Sequence, residues 1–154
     1  MGETRTILFV DDEEKILKSL QRGLLDDPYH CLFATSGKEA LETMEKNEVH
    51  VICTDMRMPQ MDGLELLKIV KKKYPMTVRV VLSGYTQVGM LLTAINQGEI
   101  FRFITKPWRL DEDFKSVMNQ AVEHYNLHGE RNTLAQEVER LKATQEKAAV
   151  APDL

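Results

Sequence analysis

The sequence predicts an α/β fold, a parallel sheet covered by helices on both faces, and three observations predict it. Short β-branched runs alternate strictly with longer helical patterns, five of each. The strand-like runs are almost continuously apolar, as expected where neither face of a sheet meets water. The stretches between them place apolar residues three and four apart, the period of a helix. Strands joined by helical crossovers run parallel, whereas hairpins would run antiparallel.

Taken in order, Thr6 to Val10 is the first strand and ends on Asp11 and Asp12. Glu13 to Asp26 follows as a helix, with Ile16, Leu17, Leu20 and Leu24 on one face. Pro28 stops it, because proline disfavours helical geometry in the residue before it. His30 to Thr35 is a second strand, and Ser36 caps a helix from Gly37 to Asn47 over Ala40, Leu41 and Met44. Val49 to Thr54 is the third strand and runs into Asp55; Asp62 then caps a helix from Gly63 to Tyr74, ended by Pro75. Val78 to Leu82 is the fourth strand and stops at Ser83-Gly84. A helix is expected over Gln87 to Gln97, with Gly98 as its terminator. Phe101 to Thr105 is the fifth strand, ended by Lys106-Pro107, and a last helix starts at Leu110 and uses Phe114, Val117, Met118, Ala121, Val122 and Tyr125.

Beyond Leu127 the chain turns polar. Gly129 is expected to interrupt the helix, and Glu130 to Val150 to form a helical extension or linker. The expected division is therefore one domain over 1–126 and an extension over 127–154. Leu127, Leu134 and Leu141 fall seven apart, with Val138 at the matching position between the last two. That seam is shorter than the roughly 3–4 sustained heptads that define a coiled coil.

Composition narrows the function. Twenty basic against 24 acidic side chains give a net charge of −4, so bulk charge does not recruit nucleic acid. No apolar run approaches the roughly 20 residues that cross a bilayer, and Met1 to Arg5 leads into no signal-peptide pattern. A cytoplasmic protein without membrane partners is expected. Cys31 and Cys53, in two strand-like runs, are expected as buried free thiols.

On this architecture Asp11, Asp12, Asp55, Ser83 and Lys106 all stand at carboxyl ends of parallel strands. In open α/β sheets that edge holds the ligand crevice. Three carboxylates meeting there repel one another unless a cation joins them. Mg²⁺ fits, since it takes one or two carboxylates, keeps waters and leaves positions for phosphate oxygens. Lys106 adds a positive charge and Ser83 a hydroxyl donor, completing the parts of a phosphoryl-transfer site in which a carboxylate can itself be the acceptor. Singly, each residue has a plainer role: Asp11 and Asp12 as helix-start acids, Asp55 as a turn residue, Ser83-Gly84 as a loop start. Their joint placement at four strand ends is what points to chemistry.

Ile7-Leu-Phe-Val-Asp-Asp-Glu13, Asp55-Met-Arg-Met-Pro-Gln-Met-Asp-Gly63, Leu82-Ser-Gly84 and Phe103-Ile-Thr-Lys-Pro107 resemble the receiver domain of two-component response regulators. The resemblance runs from about residue 4 to residue 126. It implies a (βα)5 flavodoxin-like, doubly wound parallel sheet of order 2-1-3-4-5, carrying here a C-terminal helical extension. It further implies that Asp55 is the phosphoryl acceptor, that Asp11, Asp12, Asp55 and the backbone carbonyl of Arg57 hold Mg²⁺, and that Ser83 and Lys106 bind the phosphoryl group. Phe103 falls at the switch-aromatic position, where tyrosine is commoner, so any switch works by packing alone. The implied partner is a sensor histidine kinase or a phosphotransfer protein. A homodimer is implied through the helix of 87–97, the fifth strand and the last helix, or through the C-terminal helix. Such a protein is a signalling receiver rather than an enzyme, limited to its own phosphoryl transfer and autodephosphorylation within a phosphorelay. The segment Ala94 to Trp108 is similar to receivers often fused to HD-type phosphohydrolase or other output domains.

Three rivals are distinguishable. A receiver-like module that docks partners without phosphorylation would bind neither Mg²⁺ nor beryllofluoride at Asp55. A haloacid-dehalogenase-like phosphatase wants Asp-x-Asp after its first strand, whereas Asp11 is followed two residues on by Glu13. A flavodoxin-like flavin binder wants a hydroxyl- and glycine-rich phosphate loop there, and two aspartates would repel its phosphate. His124 and His128, four apart, match a zinc spacing, but with no third ligand they are expected as solvent-facing helix residues. Met56, Met58 and Met61 are expected to pack a loop.

Overall fold

The computed structural model describes residues 4–83, 89, 92, 100–105 and 112–150. Five strands, β1 (Arg5–Val10), β2 (Tyr29–Ala34), β3 (Val51–Asp55), β4 (Val78–Ser83) and β5 (Arg102–Thr105), form one sheet of order β2-β1-β3-β4-β5. Every neighbouring pair is parallel. The helices are α1 (Glu14–Gly23), α2 (Gly37–Lys46), α3 (Gly63–Lys73) and the long α4 (Glu112–Val150). The helix expected over 87–97 lies outside the described residues apart from Gly89 and Leu92, whose backbone is helical.

Alternation along each strand sorts the core into two layers. Ile7 and Phe9 of β1, with Val51 and Cys53 of β3, point to one face and pack with Leu17 and Leu20 of α1 and Phe114, Met118 and Ala121 of α4. Leu8, Val10 and Ile52 point to the other, against Ala40 and Met44 of α2 and Leu66, Leu67 and Val70 of α3. The central strands β1 and β3 are buried on both faces, which is why they read as unbroken apolar runs.

Local chemistry sets the helix starts. Ser36 Oγ accepts from Glu39 N at 3.1 Å, while Glu39 Oε1 reaches back to Thr35 N at 3.2 Å. Asp62 Oδ1 accepts from Glu65 N at 2.8 Å, and Lys71, Lys72 and Lys73 place positive charge at the opposite, negative end of α3. α1 starts from Glu13, which makes no side-chain cap.

The structure corrects four expectations. α1 ends at Gly23, ahead of Asp26, and the Leu24 N–H closes back on the Leu20 carbonyl at 3.0 Å. β3 begins at Val51 instead of Val49, because at His50 the imidazole Nδ1 replaces a strand carbonyl and accepts the Thr6 N–H at 2.9 Å. Gly129 does not interrupt the last helix, which runs unbroken over 39 residues; glycine costs a helix only about 1 kcal/mol. Cys53 is buried, but Cys31 is half-buried on β2, the edge strand.

Candidate functional site

The sheet register brings the acidic residues together. Val10 of β1 pairs with Thr54 of β3, so Asp11 and Asp55, each one residue further, leave the sheet side by side at its carboxyl edge. β2 and β3 flank β1 on opposite sides, the point where the strand order reverses and a crevice forms.

Asp11 is fully buried: its N–H donates to the Ala34 carbonyl at 3.1 Å, and its Oδ1 accepts from the Glu13 N–H at 2.9 Å. That bond turns the chain outward and leaves Asp12 exposed at the mouth of the crevice. Asp55 is 7% exposed, and the neighbouring Thr54 hydroxyl donates to its backbone carbonyl at 2.9 Å. One carboxylate oxygen from each of Asp11, Asp12 and Asp55 lies within 4.8 Å of the other two. At such spacing two carboxylates repel by roughly 3–4 kcal/mol at an effective dielectric near 20, before solvent screening. The donors are all hard oxygens, two buried and one at the surface, which suits Mg²⁺ and offers no nitrogen or sulfur for a softer metal.

The loop after Asp55 is held from both ends. Met56 and Met58 are buried, so the intervening Arg57 sits on an anchored loop with its side chain in solvent. The Gly63 N–H donates to the Met56 carbonyl at 2.7 Å, closing the loop onto the start of α3. A Cβ at Gly63 would lie 2.2 Å from the Asp55 carbonyl oxygen. This close approach was not legible from sequence, where Asp62-Gly63 reads only as a helix start; the missed signal is a glycine at the first turn, where most side chains are tolerated. Gln60, at φ 71°, makes the left-handed turn that brings Asp62 round to cap α3.

The remaining expected residues stand as follows. Ser83 is the last residue of β4 and pairs with Thr105 of β5, one step beyond the Asp55–Leu82 pair; its side chain lies outside the described residues. Lys106 lies outside them as well. Phe103, on β5, is 44% exposed. His128 is exposed, as expected, whereas His124 is half-buried. His124 stacks on Phe101 at 4.3 Å and meets His128 edge-on at 4.2 Å, beside a cavity of about 270 Å³ at the amino ends of β4 and β5, far from the acidic crevice. Met56 and Met58 pack the loop as expected, and Met61 presses on Gly37 at the start of α2.

A 2-1-3-4-5 parallel sheet with three aspartates gathered at its switch point defines a flavodoxin-like domain built around an acidic crevice. The family model for the response regulator receiver domain matches residues 7–118, and the chain belongs to that family, whose members are signalling modules. It is 38% identical over 129 residues to the hydrogenase transcriptional regulatory protein HoxA of Cupriavidus necator, covering 84% of this chain and 26% of that protein. It is 33% identical over 116 residues to the DNA-binding transcriptional regulator NtrC of Escherichia coli, covering 75% of this chain and 24% of that protein. The chain thus spans about a quarter of the length of these curated relatives. Among solved structures it is similar to the signal receiver domain of an HD domain-containing protein from Pseudomonas fluorescens, with TM-score 0.79, 36% identity and coverage of 85% and 96% of the two chains. It is also similar to a structure described as adenylate cyclase from Rhodopirellula baltica, with TM-score 0.82, 32% identity and coverage of 87% and 98%.

Proposed function

We propose that this chain receives a phosphoryl group on Asp55 from a phosphohistidine of a partner kinase or phosphotransfer protein, and changes conformation in response. The observation that carries the proposal is the convergence of Asp11, Asp12 and Asp55 at the switch point of a receiver-family sheet. In the transfer, a carboxylate oxygen of Asp55 attacks phosphorus, the P–O bond forms, and the P–N bond to the donor imidazole breaks with its electrons returning to the ring. Asp11, Asp12, Asp55 and the Arg57 carbonyl would hold Mg²⁺, which when bound offsets the negative charge of the carboxylates and the transferring group. Asp11 is held at the crevice by the bond its Oδ1 accepts from the Glu13 N–H.

Phosphorylation adds about −1.5 to −2 charge in that crevice. Ser83, the last residue of β4, and Lys106, next in sequence after β5, are assigned the charge-assisted bonds to the new oxygens. Phe103 is assigned the switch: it starts from an exposed position on β5, and its inward rotation would bury a ring that has no hydroxyl to satisfy. The matched proteins are named for different outputs, so what the chain shares with all of them is the receiver step itself.

Beryllofluoride binding and phosphorylation by acetyl phosphate, each with Mg²⁺, test the proposal. Wild-type protein is expected to respond to both and Asp55→Asn to neither. A response that survives Asp55→Asn refutes the assignment of the acceptor, and a wild-type protein inert to both favours a docking module that is never phosphorylated.

A further inference from the structure

Where α4 parts from the sheet, a buried imidazole closes the contact. His50, just ahead of β3, is 5% exposed, and its Nδ1 accepts the Thr6 N–H at 2.9 Å. Its backbone is held from both sides: the N–H donates to the Thr6 carbonyl at 3.0 Å, and the carbonyl accepts from the Val78 N–H at 2.9 Å. The ring meets Tyr125 of α4 edge-on, with centres 4.8 Å apart. Arg5, beside Thr6 on β1, sets its guanidinium 5.1 Å from the centre of the same Tyr125 ring and donates from Nε to Asn126 Oδ1 at 2.8 Å. Tyr125 and Asn126 are half-buried here, whereas Leu127 and His128, which follow them, are exposed.

An acceptor nitrogen carries no proton, so the bond from Thr6 exists only with a neutral imidazole whose proton is on Nε2. An imidazolium has protons on both nitrogens, and the one on Nδ1 would meet the Thr6 N–H head-on. The charges around the ring oppose one another. Arg5 on β1 disfavours an imidazolium, while Glu48, with Oε1 3.6 Å from Nε2 and its side chain in solvent, favours one. Glu45 and Lys46, at the end of α2, line the cavity of about 500 Å³ that Glu48 and Tyr125 also border, and β4 contributes the uncharged Val78 N–H. We infer that His50 is a pH-sensitive latch. Neutral, it ties Tyr125 and Asn126 to the sheet; protonated, it gives up the Thr6 N–H, pairs with Glu48 and frees that turn, so that α4 leaves the domain earlier along its length. The closed latch binds one proton fewer than the open one. Closure is therefore complete above the ordinary imidazole range, about pH 6.5, and declines as the pH falls below it.

Nuclear magnetic resonance on the whole chain, without phosphodonor or Mg²⁺, tests the latch independently of Asp55. At neutral pH the His50 ring is expected as the Nε2–H tautomer, with the Thr6 amide protected from hydrogen exchange. On acidification the ring is expected to take up its second proton together with a loss of Thr6 protection and a shift of the Tyr125 ring signals, the neutral form becoming about tenfold scarcer for each pH unit below the midpoint. His50→Asn keeps an acceptor near the place of Nδ1 but does not titrate, and is expected to hold Thr6 protection and the Tyr125 signals constant over the same range. Glu48→Gln is expected to move the opening to lower pH. A neutral ring protonated on Nδ1 overturns the inference, as does one that stays neutral down to acid unfolding or that titrates without change at Thr6 and Tyr125. So does an opening pH indifferent to Glu48→Gln, or a shift of Tyr125 that persists in His50→Asn and so belongs to His124 or His128.

Discussion

Asp12 and Asp11 are neighbours in sequence with opposite surroundings, and the difference divides their work. Asp11 is buried and spends one oxygen on the Glu13 N–H, so it is part of the fold as well as part of the crevice. Asp12 is exposed, with a carboxylate oxygen within 4.8 Å of one from each of Asp11 and Asp55. Removing its charge relieves repulsion in the metal-free protein and, on the proposed reading, removes a Mg²⁺ ligand from the loaded one. Asp12→Asn is therefore expected to raise the melting temperature in EDTA by a few degrees, at roughly 1 kcal/mol, and to abolish the further rise that Mg²⁺ gives wild type. A lower melting temperature in EDTA would show that Asp12 stabilises the fold. Cys31 illustrates a residue made inert by its place: burial first, then the nearby negative charge of Asp27, push its thiol up to about 11, so thiolate is scarce near neutral pH.

Among the elements, α2 and α3 follow from their caps, because Ser36 and Asp62 each satisfy an N–H that the helix start leaves open. β3 departs by two residues because His50 supplies an acceptor that no strand pattern announces. α4 departs most, since a single glycine inside a long helix is a cost rather than a stop. Gly129→Ala is accordingly expected to increase helicity by circular dichroism and to stabilise α4 by up to about 1 kcal/mol. A loss of helicity would mean that the chain needs a bend there.

Across the whole molecule, stability depends on closing both faces of one sheet. Phe114 lies at the centre of the face shared by α1 and α4, 2% exposed and stacked with its ring centre 6.4 Å from that of Phe9. Phe114→Ala is expected to cost about 3–5 kcal/mol, read as a lower urea midpoint, because it empties the contact that docks α4 on the sheet. A change below about 1 kcal/mol would show that α4 is held chiefly by its amino-edge contacts, Arg5 with Asn126 at 2.8 Å and His50 with Tyr125 at 4.8 Å. No helix among the described residues is long and apolar enough to cross a membrane.

The order of strands and helices, the two-faced core and the acidic strand ends were legible in the sequence, because they rest on periodicity and on residues at element boundaries. Asp11, Asp12 and Asp55 could be marked as candidates from their positions alone, and family motifs supplied the strand order that periodicity could not. Only the tertiary structure decided that the three carboxylates meet within 4.8 Å, since this depends on the β1–β3 register. It also decided the contact of Gly63 with the Asp55 carbonyl, the imidazole that shortens β3, and the stacking of His124 on Phe101. Each of these joins residues distant along the chain or turned by a loop, and local propensity carries no information about distances of that kind.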